Sequence, residues 1–193
     1  PWANITAIGA NVSGKKVPTG GDIYASSVKP NGATPEAIMA ENQKPHADSN
    51  DTDYKEASAT TIQLDGTPKV SGKGASATQD AVTIKQDGTY VLSGSFNGTV
   101  TVEAPTTAKV KIVLKNANIS SSKDSAIRIK TADEAVVIAA EGTSNSLSDT
   151  SSYAGNAKGP SAALASSADL TVGGKGELKV TGNANDGISS SDG

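Results

Sequence analysis

The chain of 193 residues has no cysteine, one histidine, one arginine and only 3% aromatic residues. Because cysteine is absent, the sequence gives no indication of the redox compartment. The lone histidine, His46, lies in a polar segment, which excludes a histidine-based catalytic triad and a multi-histidine metal site. With so few aromatic residues, the core of a domain of this length has to be built from valine, isoleucine, leucine and alanine.

The chain also lacks an excess of basic residues and any long apolar run. It has 17 lysine and arginine residues against 20 acidic ones, a net charge of -3, which argues against a nucleic acid as partner. No apolar stretch approaches the roughly 18 residues that suggest a membrane-spanning helix, so no membrane span is predicted. A composition rich in serine, threonine, asparagine and glycine favours an extracellular or cell-surface protein.

Short β-type runs separated by turn residues fill the second half of the chain. Residues 125–138 resemble residues 161–172, and a shorter third copy occupies 186–193. Repetition at a period of about 20 to 30 residues is typical of a β-solenoid, in which inward side chains stack on those of the next coil. The sequence therefore predicts an all-β fold, a right-handed parallel β-helix. The expected inward stack is Ile127, Leu164 and Ile188.

Two regions differ in regularity, an N-terminal arm over residues 1–58 and a predicted β-helix domain over residues 59–193. In the arm, alternating apolar residues predict a strand over 3–12. A threonine N-cap followed by proline and an acidic residue predicts one short helix over 35–42. The arm is thus expected to be irregular, with one strand and one helix.

The end of the arm, residues 44–58, has the composition of a linker. A segment this polar frays unless other parts of the protein hold it. We therefore expect it to pack on its own β-helix domain or on a neighbouring subunit. It includes an acidic run at 48–53 that lacks the central glycine of an EF-hand loop, so it is a weak candidate for calcium.

Four segments together carry a resemblance to a known family: residues 61–66, 88–94, 113–119 and 183–192. They resemble the secreted carbohydrate-binding parallel β-helix family, and the likeness covers about residues 61–193. The resemblance implies a fold like that of pectate lyases without demonstrated catalysis, together with an association with calcium and with acidic polysaccharides such as polygalacturonate. This chain departs from the family because it stops at Gly193, where family members continue with further coils.

The resemblance directs attention to residues that could contact an acidic glycan. Tyr153, in an insertion between repeats, is the best candidate for an aromatic platform, whereas Tyr90 and Phe96 lie in strand-like runs and are expected in the cap or the core. Basic residues near the insertion would supply the counter-charge: Lys123, Arg128 and Lys158. As a lyase base, Arg128 is a poor candidate, because an arginine on a strand is usually a surface residue paired with a carboxylate.

Calcium prefers several hard oxygen ligands, which stacked turns of asparagine and aspartate can supply. The predicted calcium ligands are Asn183, Asn185, Asp186, Asp192 and Asp169. The alternative is that each of these residues only satisfies its own backbone in an Asx-turn.

The two ends of the chain suggest self-association. The repeat predicts a further apolar strand after the last copy, so the apolar end of the fold would stay uncovered. The arm strand could cover that end in the next molecule by strand addition, and a contact of this kind that does not close gives a filament. The residues in this hypothesis are Trp2, Ile5, Ile8, Val12 and Ile188.

The sequence therefore predicts a non-enzymatic structural or adhesive surface protein of the carbohydrate-binding type that assembles head to tail with copies of itself. The alternative function is a monomeric, calcium-assisted module that binds acidic polysaccharide. Neither function involves nucleic acid or a membrane span.

Overall fold

The computed structural model describes residues 50–153 and 162–191. The predicted strand 3–12 and helix 35–42 lie outside these residues, and the division of the chain at residue 58 stays a prediction. A short 3-10 turn at Glu56–Ser58 precedes the strands. The strands are β1 (Thr60–Gln63), β2 (Lys69–Ser71), β3 (Ala75–Ala77), β4 (Ala81–Ile84), β5 (Gly88–Asn97), β6 (Thr99–Glu103), β7 (Lys109–Ser120), β8 (Ile127–Thr131), β9 (Glu134–Ala139), β10 (Ser144–Ser148), β11 (Ala162–Ser166), β12 (Asp169–Gly174), β13 (Glu177–Thr181) and β14 (Asp186–Ser190).

These strands form two mixed sheets. The larger one has eight strands in the order β12-β9-β7-β5-β1-β2, and β10 and β13 branch from β7. The smaller one has six strands in the order β14-β11-β8-β6-β4-β3. Most neighbours are parallel, whereas the pairs β1–β2 and β3–β4 are antiparallel. In the part of the chain that the structure describes, no helix is long and apolar enough to cross a membrane.

The all-β class is confirmed, but the predicted right-handed parallel β-helix is wrong. The strands lie in two stacked mixed sheets instead of a closed coil, and no α-helix occurs among the described residues. The repeats predicted which segments pair side by side and which positions point inward. They could not predict the arrangement of the sheets, because two stacked sheets bury an alternating apolar pattern as well as a solenoid does.

One apolar core fills the space between the sheets. It consists almost entirely of valine, isoleucine, leucine and alanine, with Tyr90 and Phe96 also buried as predicted. Leu164 in β11 pairs in register with Ile127 in β8 and Ile188 in β14, which confirms the predicted stack. Ile127 and Leu164 are fully buried, whereas Ile188 is 45% exposed because β14 is the last strand of its sheet.

Strands β5 and β7 each bend midway, and this bend produces the branch of the larger sheet. At the bend, Gly94 and Asn116 have positive φ angles of 96° and 55°, a conformation that glycine and asparagine adopt most readily. Before the bend β7 pairs with β9, and after it β7 pairs with β10. The second halves of β5 and β7 therefore form a separate region together with β10 and β13.

The buried carboxamide of Asn145 fastens this region. Its Oδ1 accepts a hydrogen bond from the backbone N–H of Ala117 at 2.9 Å. Its Nδ2 donates to the carbonyl oxygen of Glu177 at 3.0 Å and to Oγ1 of Thr143 at 3.0 Å. One side chain thus joins β7, β10 and β13, and it satisfies backbone groups that the bend would otherwise leave without partners.

A segment at residues 50–59 covers an apolar patch on the face of the larger sheet opposite the core. Tyr54 and Ala59 pack against this patch. The patch consists of Val91, Val113, Val136, Ile138 and Ala140. The described part of the polar 44–58 segment therefore packs on its own chain, which is one of the two outcomes that the sequence predicted.

Three lysines of β7 hold the 50–59 segment. Lys109 forms ion pairs with Asp51 and, at 2.7 Å, with Glu134. Lys111 Nζ donates to the carbonyl oxygen of Asp53 at 2.6 Å. These contacts lie along one strand because residues at alternate positions point to the same face. A further pair at 2.7 Å joins Lys115 to Glu56.

Candidate functional site

The structure brings together two of the residues predicted to bind carbohydrate. The Arg128 guanidinium lies 6.0 Å from the centre of the Tyr153 ring. Arg128 is also paired with Asp124, with Nε 2.8 Å from Oδ1. It thus has the predicted carboxylate partner, but its side chain is only 13% exposed, whereas the sequence predicted a surface residue. Lys123 is paired instead with Asp80 at 3.4 Å, where both side chains are exposed. Lys158 lies outside the described residues.

The Tyr153 hydroxyl points into the protein. It donates hydrogen bonds to Oδ2 of Asp149 at 2.9 Å and to the carbonyl oxygen of Ala162 at 3.1 Å. Burial, together with the neighbouring Asp149 carboxylate, raises the pKa of Tyr153 to about 12. This hydroxyl therefore anchors the loop, and the role of the ring as a sugar platform stays a prediction.

The raised pKa of Tyr153 predicts a loss of stability at alkaline pH. Because the folded-state pKa lies above the ordinary value of 10.0, the contribution of this residue is fully present below pH 10.0 and is lost as the pH rises towards about 12. A Tyr153→Phe variant should be about 1 kcal/mol less stable at neutral pH, and the difference from wild type should shrink above pH 10.0. Denaturant unfolding across this range measures both effects, and a difference independent of pH would contradict the prediction.

The predicted calcium ligands are not gathered at one point. Asp169 begins β12 in the larger sheet, whereas Asp186 begins β14 in the smaller one. The Asn183 backbone N–H donates to Oδ1 of Asp149 at 2.6 Å, and Asn185 Nδ2 donates to Oδ2 of Asp186 at 2.9 Å. Asp192 is outside the described residues. Within 50–153 and 162–191, no group of three or more His, Cys, Asp or Glu side chains could hold a metal ion, and calcium stays a prediction.

Asp149 is a residue that the sequence did not single out. It is 4% exposed, and its carboxylate interacts with both Tyr153 and Asn183. Asp149 thus links Tyr153, which was predicted to bind carbohydrate, to Asn183, which was predicted to bind calcium, through hydrogen bonds within the protein. No local pattern in the sequence distinguishes this aspartate from others in turns.

The residues predicted to self-associate fall into two groups. Ile188 is 45% exposed, and the one other exposed large hydrophobic side chain among the described residues is Val172, at 41%, which the sequence did not single out. They lie on β14 and β12, the last strands of the two sheets at the same end. Trp2, Ile5, Ile8 and Val12 are outside the described residues.

A polar face lies on the outer surface of the branched region of the larger sheet. It has three rows that run across β7, β10 and β13, and the second and third rows also include β5. The first row is Asn116, Ser144 and Glu177; the second row is Ser95, Asn118, Ser146 and Lys179; the third row is Asn97, Ser120, Ser148 and Thr181. Every member is at least partly exposed, so hydroxyl and amide groups are displayed in a regular array.

The chemistry of the polar face is that of a hydrogen-bonding surface. Only Glu177 and Lys179 are charged, and none of its members is aromatic. Cross-strand contacts order the side chains, since Ser146 Oγ lies 2.9 Å from Oδ1 of Asn118 and Ser144 Oγ lies 3.1 Å from Oε2 of Glu177. Such a surface can bind an extended polar ligand through many weak bonds, each worth about 1 kcal/mol.

The sequences of β7, β10 and β13 contain one pattern that indicates the polar face, the alternation of polar and apolar residues. Each of these strands places polar residues at every second position, which predicts that those residues point outward. The sequence did not indicate that these strands lie side by side. The array appears only when the sheet brings together residues separated by more than 80 positions, such as Ser95 and Lys179.

Comparison with known proteins gives three similarities. A family model described as "Carbohydrate-binding domain-containing protein" matches residues 78–193. A protein of that description from Acetivibrio thermocellus is 33% identical over 122 residues, which are 61% of this chain and 43% of that protein. The structure of the polysaccharide lyase-like protein from C. thermocellum, a gadolinium derivative, has a TM-score of 0.66 at 29% identity and covers 69% of this chain and 56% of that chain. The chain spans less than two thirds of either relative.

Proposed function

The chain belongs to the family of carbohydrate-binding domain-containing proteins, and from this we propose that it binds polysaccharide without catalysis, outside the cell. The polar face is the observation that carries the proposal. Its hydroxyl, amide and few charged groups match the hydroxyl groups of a sugar chain, which also hydrogen-bonds through many equivalent groups. The proposed binding is therefore the sum of weak contacts over an extended surface.

The proposal of binding without cleavage is supported by the state of the single arginine. A polysaccharide lyase needs a base that removes the proton next to a sugar carboxylate, with cations or acids that stabilise the resulting charge. The one arginine, Arg128, is engaged by Asp124 and is largely buried. Its guanidinium is therefore held in an ion pair that disfavours a role as a base.

Affinity electrophoresis tests the proposal. We expect the native chain to migrate more slowly in gels that contain a polysaccharide than in gels without it, and to leave that polysaccharide uncut. A neutral polymer, hydroxyethylcellulose, and an acidic one, polygalacturonate, separate the two charge classes. Retardation only by polygalacturonate, abolished by a calcium chelator, supports the calcium-assisted alternative. Unsaturated products would overturn the non-catalytic proposal, and equal migration in all gels would overturn binding.

We propose head-to-tail self-assembly as a second function, carried by the exposed apolar end. Val172 and Ile188 are exposed on the last strands of the two sheets. The nearby strands β12 and β13 carry Leu170, Leu178 and Val180, which are only partly buried against the core. The outer edges of β12, β13 and β14 pair with no other described strand. An apolar edge of this kind favours strand addition, and the predicted arm strand 3–12 of a second copy is its proposed occupant.

A double substitution at the apolar end tests this assembly. Val172→Lys with Ile188→Lys should convert any ordered fibres seen by electron microscopy into dispersed molecules, because two charges would be buried without partners. The control is Lys175→Ala, directly after β12 at the same end of the sheets. This variant should leave fibres intact. Deletion of residues 1–13 should have the effect of the double substitution. A wild-type protein that sediments as a monomer would overturn the proposal.

A further inference from the structure

The rows of the polar face have a defined direction and spacing. Neighbouring members of a row, such as Asn118 and Ser146, lie on paired strands, which in β-sheets are about 4.8 Å apart. Along one strand, successive outward residues such as Asn118 and Ser120 are about 6.7 Å apart, because alternate residues point to opposite faces. The spacing between polar groups is therefore shorter across the strands than along them.

An extended glycan chain presents its hydroxyl groups once per sugar, at a repeat closer to the strand spacing than to the spacing along a strand. We propose that the bound polysaccharide lies along the second row, across β5, β7, β10 and β13, with one sugar over each strand. This inference rests on the proposed function, to which it adds the direction of the ligand and the residues that contact it.

The second row has hydrogen-bonding groups that the protein leaves available. The contact between Ser146 Oγ and Oδ1 of Asn118 orients the asparagine amide. Within the described ranges, no group accepts a hydrogen bond from Asn118 Nδ2, and neither the Ser95 hydroxyl nor the Lys179 ammonium has a protein partner. Donors are thus present at the centre and at both ends of the row.

Two depressions meet at the end of β5, since Phe96 and Asn97 line both. One extends over the second and third rows as far as Ser146, and the other continues past the edge of β5. The residues that line the outer depression are Gly66, Thr67, Gln79, Asp80, Phe96 and Asn97. Ser95, the second-row residue of β5, lines only the first of these depressions, so the second row ends at β5.

Oligosaccharide binding tests the direction. Isothermal titration calorimetry of the full chain would use β-1,4-linked glucose oligosaccharides and oligogalacturonates, each from disaccharide to hexasaccharide. The affinity for the series that binds should rise up to about four sugars, one for each strand of the row, and then level off. Asn118→Ala should weaken binding about tenfold, and Ser95→Ala and Lys179→Ala about threefold each.

Matched controls distinguish the two directions. Ser144→Ala, in the first row, and Lys175→Ala, off the polar face, should change the affinity less than twofold if the ligand follows the second row. A ligand that runs along β7 would instead be weakened by Ser120→Ala, and one that runs along β10 by Ser144→Ala, in neither case by Ser95→Ala. Either result would overturn the inference. Circular dichroism confirms that each variant is folded.

The outcomes also separate this inference from the proposed function. If the chain is retarded by a polysaccharide but none of the second-row variants changes that retardation, the proposed function holds and the placement of the ligand on the second row is overturned. If no polysaccharide or oligosaccharide binds to the wild-type chain, both are overturned.

Discussion

Replacing Asn145 with leucine should lower the free energy of unfolding by about 4 kcal/mol. Leucine has nearly the same shape as asparagine, so the change removes hydrogen bonds without opening a cavity. It leaves the backbone N–H of Ala117 and the carbonyl oxygen of Glu177 without this partner, whereas the Thr143 hydroxyl keeps its hydrogen bond to the carbonyl oxygen of Ala140. Each buried polar group that loses its partner costs about 1–3 kcal/mol, and Asn145 is only 2% exposed.

Urea unfolding measures this effect, and Asn118→Leu is its matched control. Asn118 lies on the neighbouring strand and is exposed, so the same substitution there should change stability by less than about 0.5 kcal/mol. Because Asn145 joins β7, β10 and β13, Asn145→Leu should also weaken polysaccharide binding although its side chain does not reach the polar face. Equal stabilities of the two variants would contradict the role assigned to Asn145.

Replacing Lys109 with methionine should destabilise the protein by about 3 kcal/mol. Lys109 neutralises two carboxylates, those of Asp51 and Glu134, whose side chains are 4% and 19% exposed. Without the lysine, both carboxylates lose the cation that they share and repel each other, although Asp51 keeps a further interaction of its own. Breaking a buried ion pair costs about 3–5 kcal/mol. The lower end of that range applies because the Lys109 side chain itself is 41% exposed. The 50–59 segment should also detach, because Asp51 is one of its attachment points.

The matched control is Lys115→Met on the same strand. The pair between Lys115 and Glu56 is about half exposed on both sides, and exposed pairs contribute less than about 1 kcal/mol. Hydrogen exchange followed by mass spectrometry should show faster exchange of residues 50–59 in Lys109→Met but not in Lys115→Met. Similar behaviour of both variants would mean that the apolar contacts of Tyr54 and Ala59 hold the segment without help from charge.

The ion pairs of Lys109 also predict a dependence on pH. Hydrogen bonds to Asp51 and then to Glu134 raise the pKa of Lys109 above the ordinary 10.5. Its contribution is therefore complete below that pH and is lost as the pH rises through the raised value. The stability difference between wild type and Lys109→Met should accordingly shrink in alkali.

Several features of the fold follow from local pattern. Alternating apolar residues predicted the strands, and the match between residues 125–138 and 161–172 predicted that these segments pair side by side. The register of Ile127, Leu164 and Ile188 agrees with that prediction. These successes have one cause, which is that the period-two alternation of a strand fixes which side chains enter the core.

The sequence by itself thus determined the all-β class, the inward positions and the burial of Tyr90 and Phe96, since these depend on apolar pattern and turn residues alone. Only the tertiary structure decided that the sheets stack instead of forming a solenoid, because both arrangements bury the same residues. It also decided that Asp149 links Tyr153 with Asn183 and that four distant strands display one polar face. Contacts of this kind depend on pairing between segments far apart in the chain, which no local pattern specifies.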